Sequence, residues 1–324
     1  MCVMDYKMPS AAQPLKIGTR GSPLAVAQAH ETRTRLMSAH GLPEDTFEIC
    51  VIKTTGDDRT LIDADIALKT IGNKGLFTKE IEEAMLRGDI DIAVHSTKDM
   101  PVEQPEGLVL DVFLPREDMR DAFVSVKHSG IADLPQGAVV GTSSLRRRAQ
   151  LLAKRPDLKV VEFRGNVQTR LKKLGDGVAE ATFLAMAGLN RMDMGVHATG
   201  AISVEDMLPA IAQGTISIER RADDLRARDM LAAIHDVAAG QQMAAERAFL
   251  AALDGSCETP IAGLAVLEGD QIWLRGEILK PDGSQVFTGE RRGPIVDGAA
   301  IGIALAEELL GQAGPDFFEA VVAG

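Results

Sequence analysis

The sequence predicts an α/β protein with mainly parallel sheets in two similar lobes, followed by a C-terminal α+β domain with an antiparallel sheet. Three observations predict it. Short apolar strands alternate with helical stretches through the first two thirds of the chain, the βαβ rhythm of a parallel sheet covered by helices. A strand, a Gly-Thr turn and a helix beginning at "LKIGTR" return at "AVVGTSS", so the rhythm starts twice. After "TISIERR" the texture changes to a long helical run and then to strands joined by Glu-Gly-Asp and Pro-Asp-Gly turns, the pattern of hairpins.

Taken in order, "LKIGTR" is a short apolar strand, and "SPLAVAQAHETRTRLMSAHG" is a helix with Ser22 as N-cap, Pro23 at N1 and Gly41 at C′. "FEICVIK" alternates as a strand, "TKEIEEAMLRG" is a helix stopped near Gly88, and "DIDIAV" is a strand running into "HSTKDMP". In the second cycle "AVVGTSS" leads to the helix "LRRRAQLL", "LKVVEFRGN" to the helix "VQTRLKKLG" with Asn166 as N-cap, and "VAEATFLAMAGLNRM" passes from strand to helix. A helical run around residues 232–253, two or three strands in "GLAVLEGDQIWLRGEILKPDGSQVFTGERRG" and the helix "AAIGIALAEELLG" complete the chain.

Composition narrows the function. The chain has 324 residues, 45% hydrophobic and 25% charged, which is ordinary globular composition and enough for about two or three domains. A formal net charge of −12 argues against a general nucleic-acid or anionic-membrane binder, because the long-range field repels such partners. No basic stretch followed by an apolar one opens the chain and no apolar run is long enough to span a bilayer, so the expectation is a soluble cytoplasmic protein. Cys2, Cys50 and Cys257 have no metal or disulfide-framework spacing, and the histidines form no H-E-x-x-H or Cys/His cluster, so no metal is expected.

Against that acidity stands "VGTSSLRRRAQ", with three consecutive arginines in the first turn of a helix, where cations oppose the macrodipole at about 0.3–1 kcal/mol each. On a helical wheel Arg146 and Arg147 lie away from the apolar face of Leu145, Ala149 and Leu152, while Arg148 flanks it. Alone, this fits a solvated basic face as well as an anion site with Thr142, Ser143 and Ser144 as further donors. Arg164 and Arg20 also end strands, and Arg170 lies beside a helical apolar stripe. In α/β sheets ligands gather at the carboxyl ends of strands, so these guanidinium groups can converge on carboxylates or phosphates. The inference is a polyanionic ligand.

"DIAVHSTKDMP" carries Ser96, Lys98 and Asp99 past the end of a strand. Asp99 there is either a turn former or a general acid/base or cation stabiliser kept ionised by Lys98, and His95 reads as structural. Cys257, in the turn "LDGSCETPIAG", is an inert thiol, a nucleophile or an attachment point.

At this point the motifs "IGTRGSPLAVAQA", "GNKGLFTKEIE", "DIAVHSTKDMP", "VGTSSLRRRAQL", "FRGNVQTRL", "AGLNRM" and "LDGSCETPIAG" together resemble the porphobilinogen deaminase family, in that family's order and over nearly the whole chain. The resemblance implies two lobes like type II periplasmic binding proteins, at 15–114 with 214–234 and at 115–213, a cofactor-attachment domain at 235–324, and a flexible leader at 1–14. It implies a dipyrromethane cofactor on Cys257, successive condensation of porphobilinogen with loss of ammonia, and release of hydroxymethylbilane by a cytoplasmic monomer with no nucleic-acid or membrane partner. Asp99 matches the catalytic aspartate. Lys98, Ser96, Thr142, Ser143, Arg146, Arg147 and Arg170 match cofactor contacts, and Arg20, Ser22, Arg164, Arg191, Lys74 and Phe77 match substrate contacts, the last two in a mobile loop. Departures are Asn73, Thr215 and Ser217, where the family often has smaller residues. The alternative is a non-catalytic two-lobed binding protein for an anionic metabolite, which needs no role for Cys257.

Overall fold

In the computed structural model the described residues are 7–54, 78–253, 259–314 and 317. Lys74, Phe77 and Cys257 lie outside them. The described strands are β1 (Leu15–Arg20), β2 (Phe47–Ile52), β3 (Ile92–Ser96), β4 (Leu108–Phe113), β5 (Asp121–Ser125), β6 (Val139–Gly141), β7 (Lys159–Val161), β8 (Ala181–Ala185), β9 (Gly200–Ala201), β10 (Ile216–Arg221), β11 (Ile261–Glu268), β12 (Gln271–Leu279) and β13 (Val286–Pro294). The described helices are α1 (Pro23–His40), α2 (Lys79–Leu86), α3 (Leu145–Lys154), α4 (Val167–Gly175), α5 (Met186–Arg191), α6 (Leu225–Ala232), α7 (Val237–Ala252) and α8 (Gly298–Ala313). None of them is long and apolar enough to cross a membrane.

The chain divides into two compact units, one of residues 1–115 and 215–240, the other of residues 116–214 and 241–324. In the first unit a five-stranded sheet has the order β2-β1-β3-β10-β4. β1 pairs parallel with β2 and β3, and β10 returns antiparallel between β3 and β4. Leu15, Ile17, Ile92, Val94, Ile216 and Ile218 fill the core on one face beneath α1 and α6. The other face packs Ala93 against Ile81 and Met85 of α2. The predicted ends of α1 are present: the Ser22 hydroxyl accepts from the Ala25 N–H at 3.2 Å, and Gly41 takes the left-handed φ of 64° that closes the last turn.

The second unit contains a sheet of the same plan, β7-β6-β8-β5-β9, again parallel at one side and antiparallel at the return strand. This recurrence is the structural content of the repeated strand–turn–helix in the sequence, and both sheets are of mixed α/β type. The unit also holds the antiparallel sheet β11-β12-β13. Its buried face, with Ile272, Leu274 and Ile278, is fully covered.

The two Gly-Thr turns differ in how strictly they need glycine. A Cβ on Gly141 would lie 2.3–2.8 Å from three ring atoms of Phe163, itself fully buried. A Cβ on Gly18 would meet only the Cδ1 end of Ile90 that closely. Gly141→Ala is therefore expected to destabilise the protein by about 1–3 kcal/mol, the usual range for overpacking, and Gly18→Ala by less. Urea unfolding midpoints of the two variants test the order.

Candidate functional site

In the first unit, strand ends build a small recess. β1 ends at Arg20, Ser22 caps α1, and β3 runs through His95 and Ser96 into the short helical turn Thr97–Asp99. Arg20, Ser22, Gln28, His95, Ser96 and Asp99 line a cavity of about 60 Å³. Four of these residues are the sequence candidates Arg20, Ser22, Ser96 and Asp99, drawn from segments nearly 80 positions apart. Lys98, partly buried, stands beside them in the turn without lining the cavity. A larger recess of about 310 Å³, near Arg35, His235 and Asp236, gathers none of the residues singled out by the sequence.

Two lining residues were not anticipated as site residues. Gln28 points from α1 to Ser96, its Nε2 donating to the hydroxyl at 2.9 Å and its Oε1 accepting from it at 3.1 Å. Its sequence signal is a glutamine at helical spacing from Ala25, Ala29 and Leu36, the face that α1 buries. His95, which the sequence reads as structural, has Nε2 3.2 Å from Oε2 of the fully buried Glu219 on β10.

In the second unit, α3 begins at Ser144, whose hydroxyl accepts from the Arg147 N–H at 3.4 Å. Thr142 accepts from the Ser144 N–H and Ser143 from the Phe163 N–H, so each of these hydroxyls first serves the backbone. The helical wheel needs correction here. Arg146 and Arg147 lie off the apolar stripe yet are each only 5% exposed, because an internal carboxylate waits for them on the strand below. Asp121, at the start of β5 and fully buried, accepts from Arg146 Nη1 at 2.8 Å, from Arg147 Nη2 at 2.6 Å and Nε at 3.1 Å, and from Gln213 Nε2 at 3.0 Å. Arg146 Nη1 also donates to the Leu208 carbonyl, and Arg147 Nη1 to that of Phe183.

The electrostatics follow from these contacts. Burial would push the Asp121 carboxyl up, but the charges and hydrogen bonds of both arginines outweigh it and hold it far below the ordinary carboxylate range. Burial draws the Arg146 guanidinium down, Asp121 opposes that, and Arg147 adds to it. Arg170, on α4, donates from Nε to the Gly165 carbonyl at 2.9 Å, and burial, reinforced by the charge of Arg147, draws it down to about 10. The cluster thus sets the guanidinium groups of Arg146 and Arg147 against the shared carboxylate of Asp121, with Glu277 acting on Arg146 from further off and the cation of Arg170 close by.

The remaining candidates are spread over the same unit. Arg164 lies 3.5 Å from Glu162, and Arg191 donates from Nη2 to the Gly214 carbonyl at 3.1 Å. Asp121, the buried partner of Arg146 and Arg147, is not among the residues the sequence singles out. Its signal was an aspartate opening an apolar strand, "DAFVSV", where that residue type is depleted. Among the described residues no group of histidine, cysteine and carboxylate side chains is arranged to hold a metal ion.

Comparison with known proteins finds matches over nearly the whole chain. Residues 15–229 match the family model "Porphobilinogen deaminase, dipyromethane cofactor binding domain", and residues 241–311 match "Porphobilinogen deaminase, C-terminal domain". A porphobilinogen deaminase of Paracoccus denitrificans is 67% identical over 313 residues, covering 97% of this chain and 99% of its own. One from Nitrobacter winogradskyi is 51% identical, covering 93% of this chain and 94% of its own. A chloroplastic one from Pisum sativum is also 51% identical, covering 94% of this chain and 83% of its own.

Proposed function

Because the chain belongs to the porphobilinogen deaminase family, we propose that its two arginine-lined regions and Asp99 divide the work of that family's reaction. The enzyme condenses four porphobilinogen units head to tail on a covalent dipyrromethane and releases hydroxymethylbilane. Bound dipyrromethane supplies the ring carbon to which the first unit is joined. Each pyrrole carries an acetate and a propionate, so the ligand is a polyanion.

The observation that carries the reading is the surplus of buried positive charge in the second unit of a chain with net charge −12. Two guanidinium groups face one carboxylate at Asp121, the Nε of Arg146 is buried without a hydrogen-bond partner among the described residues, and Arg170 is drawn down by burial. Buried cations in surplus call for an external anion, and guanidinium groups bind carboxylates in charge-assisted, often paired hydrogen bonds. This donor set fits dipyrromethane: Arg146, Arg147 and Arg170, with Thr142, Ser143, Ser96 and Lys98, hold its carboxylates, and Cys257 anchors it. Arg20, Ser22, Arg164 and Arg191, with Lys74 and Phe77, receive the incoming substrate.

Asp99 acts on the substrate itself. Loss of ammonia leaves a positive charge spread over the pyrrole ring and its methylene carbon, and a fixed carboxylate beside Arg20 and Ser96 stabilises that charge as it develops. On the same reading the enzyme is a cytoplasmic monomer made of the two lobes and a third, C-terminal domain, acting on a small molecule without nucleic-acid or membrane partners. The purified protein is expected to carry a mass increment equal to two linked pyrrole units, absent from Cys257→Ser. Intact-protein mass spectrometry reads this directly, and a bare polypeptide mass in the parent protein overturns the reading.

A further inference from the structure

Directly beneath the Asp99 recess lies a buried polar cluster that binding of carboxylates does not use. His95 on β3 and Glu219 on β10 share one face of the sheet, since Glu219 pairs with Ala93 and Ser217 with His95. The Nε2 of His95 lies 3.2 Å from Oε2 of Glu219, and no other hydrogen bond of the ring is present among the described residues. Oε1 of Glu219 and the hydroxyl of Ser217 are fully buried with no partner among those residues. From α2, Glu82 faces the same pair, 8% exposed. Burial pushes its carboxyl up, Glu219 adds to the shift and His95 opposes it. The charged groups on the remaining side are Arg20 and Asp99, in the recess that His95 helps to line.

Unsatisfied buried polar atoms cost about 1–3 kcal/mol each and are rare in native interiors, so their concentration around one imidazole at a cavity wall needs a reason. We infer that His95, oriented by Glu219, is a second proton-handling residue of this site and takes up the proton that the coupling step releases. The inference rests on the assignment of the recess to the condensation of porphobilinogen.

The step's balance calls for such a group. The substrate's C–N bond breaks with its electron pair leaving on ammonia, a C–C bond forms between a ring carbon and the methylene carbon, and the C–H bond at that ring carbon breaks with its pair returning to the ring. A base must take the proton. His95 lines the same recess as Asp99 and is a second group there that can take it. With Glu219 accepting from Nε2–H, Nδ1 of His95 keeps the ring's lone pair, the division of roles that a carboxylate-steadied imidazole performs in other enzymes. The proton then leaves on the released ammonia, as ammonium, or on water.

The test uses the loaded enzyme, His95→Gln, Glu219→Gln, and porphobilinogen carrying deuterium at its free ring carbon. Intact mass first establishes that the parent and both variants carry the same covalent increment. Its absence from the parent would count against the functional reading, and its loss only in the variants would overturn this inference in favour of a structural role. With loading intact, His95→Gln is expected to lower kcat by about 10²–10⁴-fold with little change in KM. The same substitution is expected to turn a negligible deuterium effect on kcat into a primary one, and Glu219→Gln to do the same more weakly. Nitrogen-15 spectra of histidine-labelled protein at constant pH add a readout independent of turnover: Glu219→Gln should shift one ring's Nε2 signal, the signal that His95→Gln removes. Turnover near the parent's in His95→Gln, slowed turnover without a deuterium effect, or an unmoved Nε2 signal would each overturn the inference.

Discussion

Asp99→Asn is expected to lower kcat by about 10²–10⁴-fold and to leave the unfolding transition where it is. The side chain of Asp99 stands exposed at the end of the Thr97–Asp99 turn, so its replacement by a neutral side chain of the same shape removes no buried packing. Surface changes of that kind stay within roughly 0.5 kcal/mol of stability. On the proposed role of Asp99, the interaction lost is one made with charge that exists only as ammonia departs. For that reason kcat and kcat/KM should fall together, with KM little altered. Steady-state assays alongside a thermal melt separate the two effects, and a variant with parental turnover would remove Asp99 from the chemistry.

The largest expected effect on stability belongs to Asp121→Asn. It strips the one carboxylate from two guanidinium groups that are each only 5% exposed, and breaking a buried pair from one side costs about 3–5 kcal/mol. The effect has a pH signature. The Asp121 carboxyl is held well below its ordinary value of about 3.9, so its contribution is fully present above that value and is lost as pH falls below it. Urea unfolding at neutral pH and at pH values below 4 should therefore show the parent and Asp121→Asn converging in acid. Parallel stability curves would place the cost of the substitution outside charge pairing.

Much of the fold is legible in the sequence. The caps of α1 and α4, the repeated strand–turn–helix and the antiparallel end of the chain all follow from local chemistry: Ser22, Gly41 and Asn166 sit where their side chains or backbone freedom are needed. The return strands β5 and β10 were not legible as antiparallel, because a strand's direction depends on partners far away in sequence. For the same reason the burial of Arg146 and Arg147 escaped the helical wheel. A wheel reports one helix, and the group that buries them is on β5. Asp99, Arg20 and Ser96 were recognisable as chemistry at strand ends, whereas Gln28 and His95 became part of the site only when α1 and β3 were seen side by side.

The placement of β10 has a consequence for how the protein is made. Its residues 216–221 fill the gap between β3 and β4, some hundred positions earlier in the chain. A ribosome must therefore translate the whole intervening lobe before the first sheet can close, and the nascent polypeptide carries two unzipped strand edges in the meantime. The lobe encoded in the middle of the message can finish first. Protein synthesis thus delivers Arg146 and Arg147 before the strand that holds Glu219.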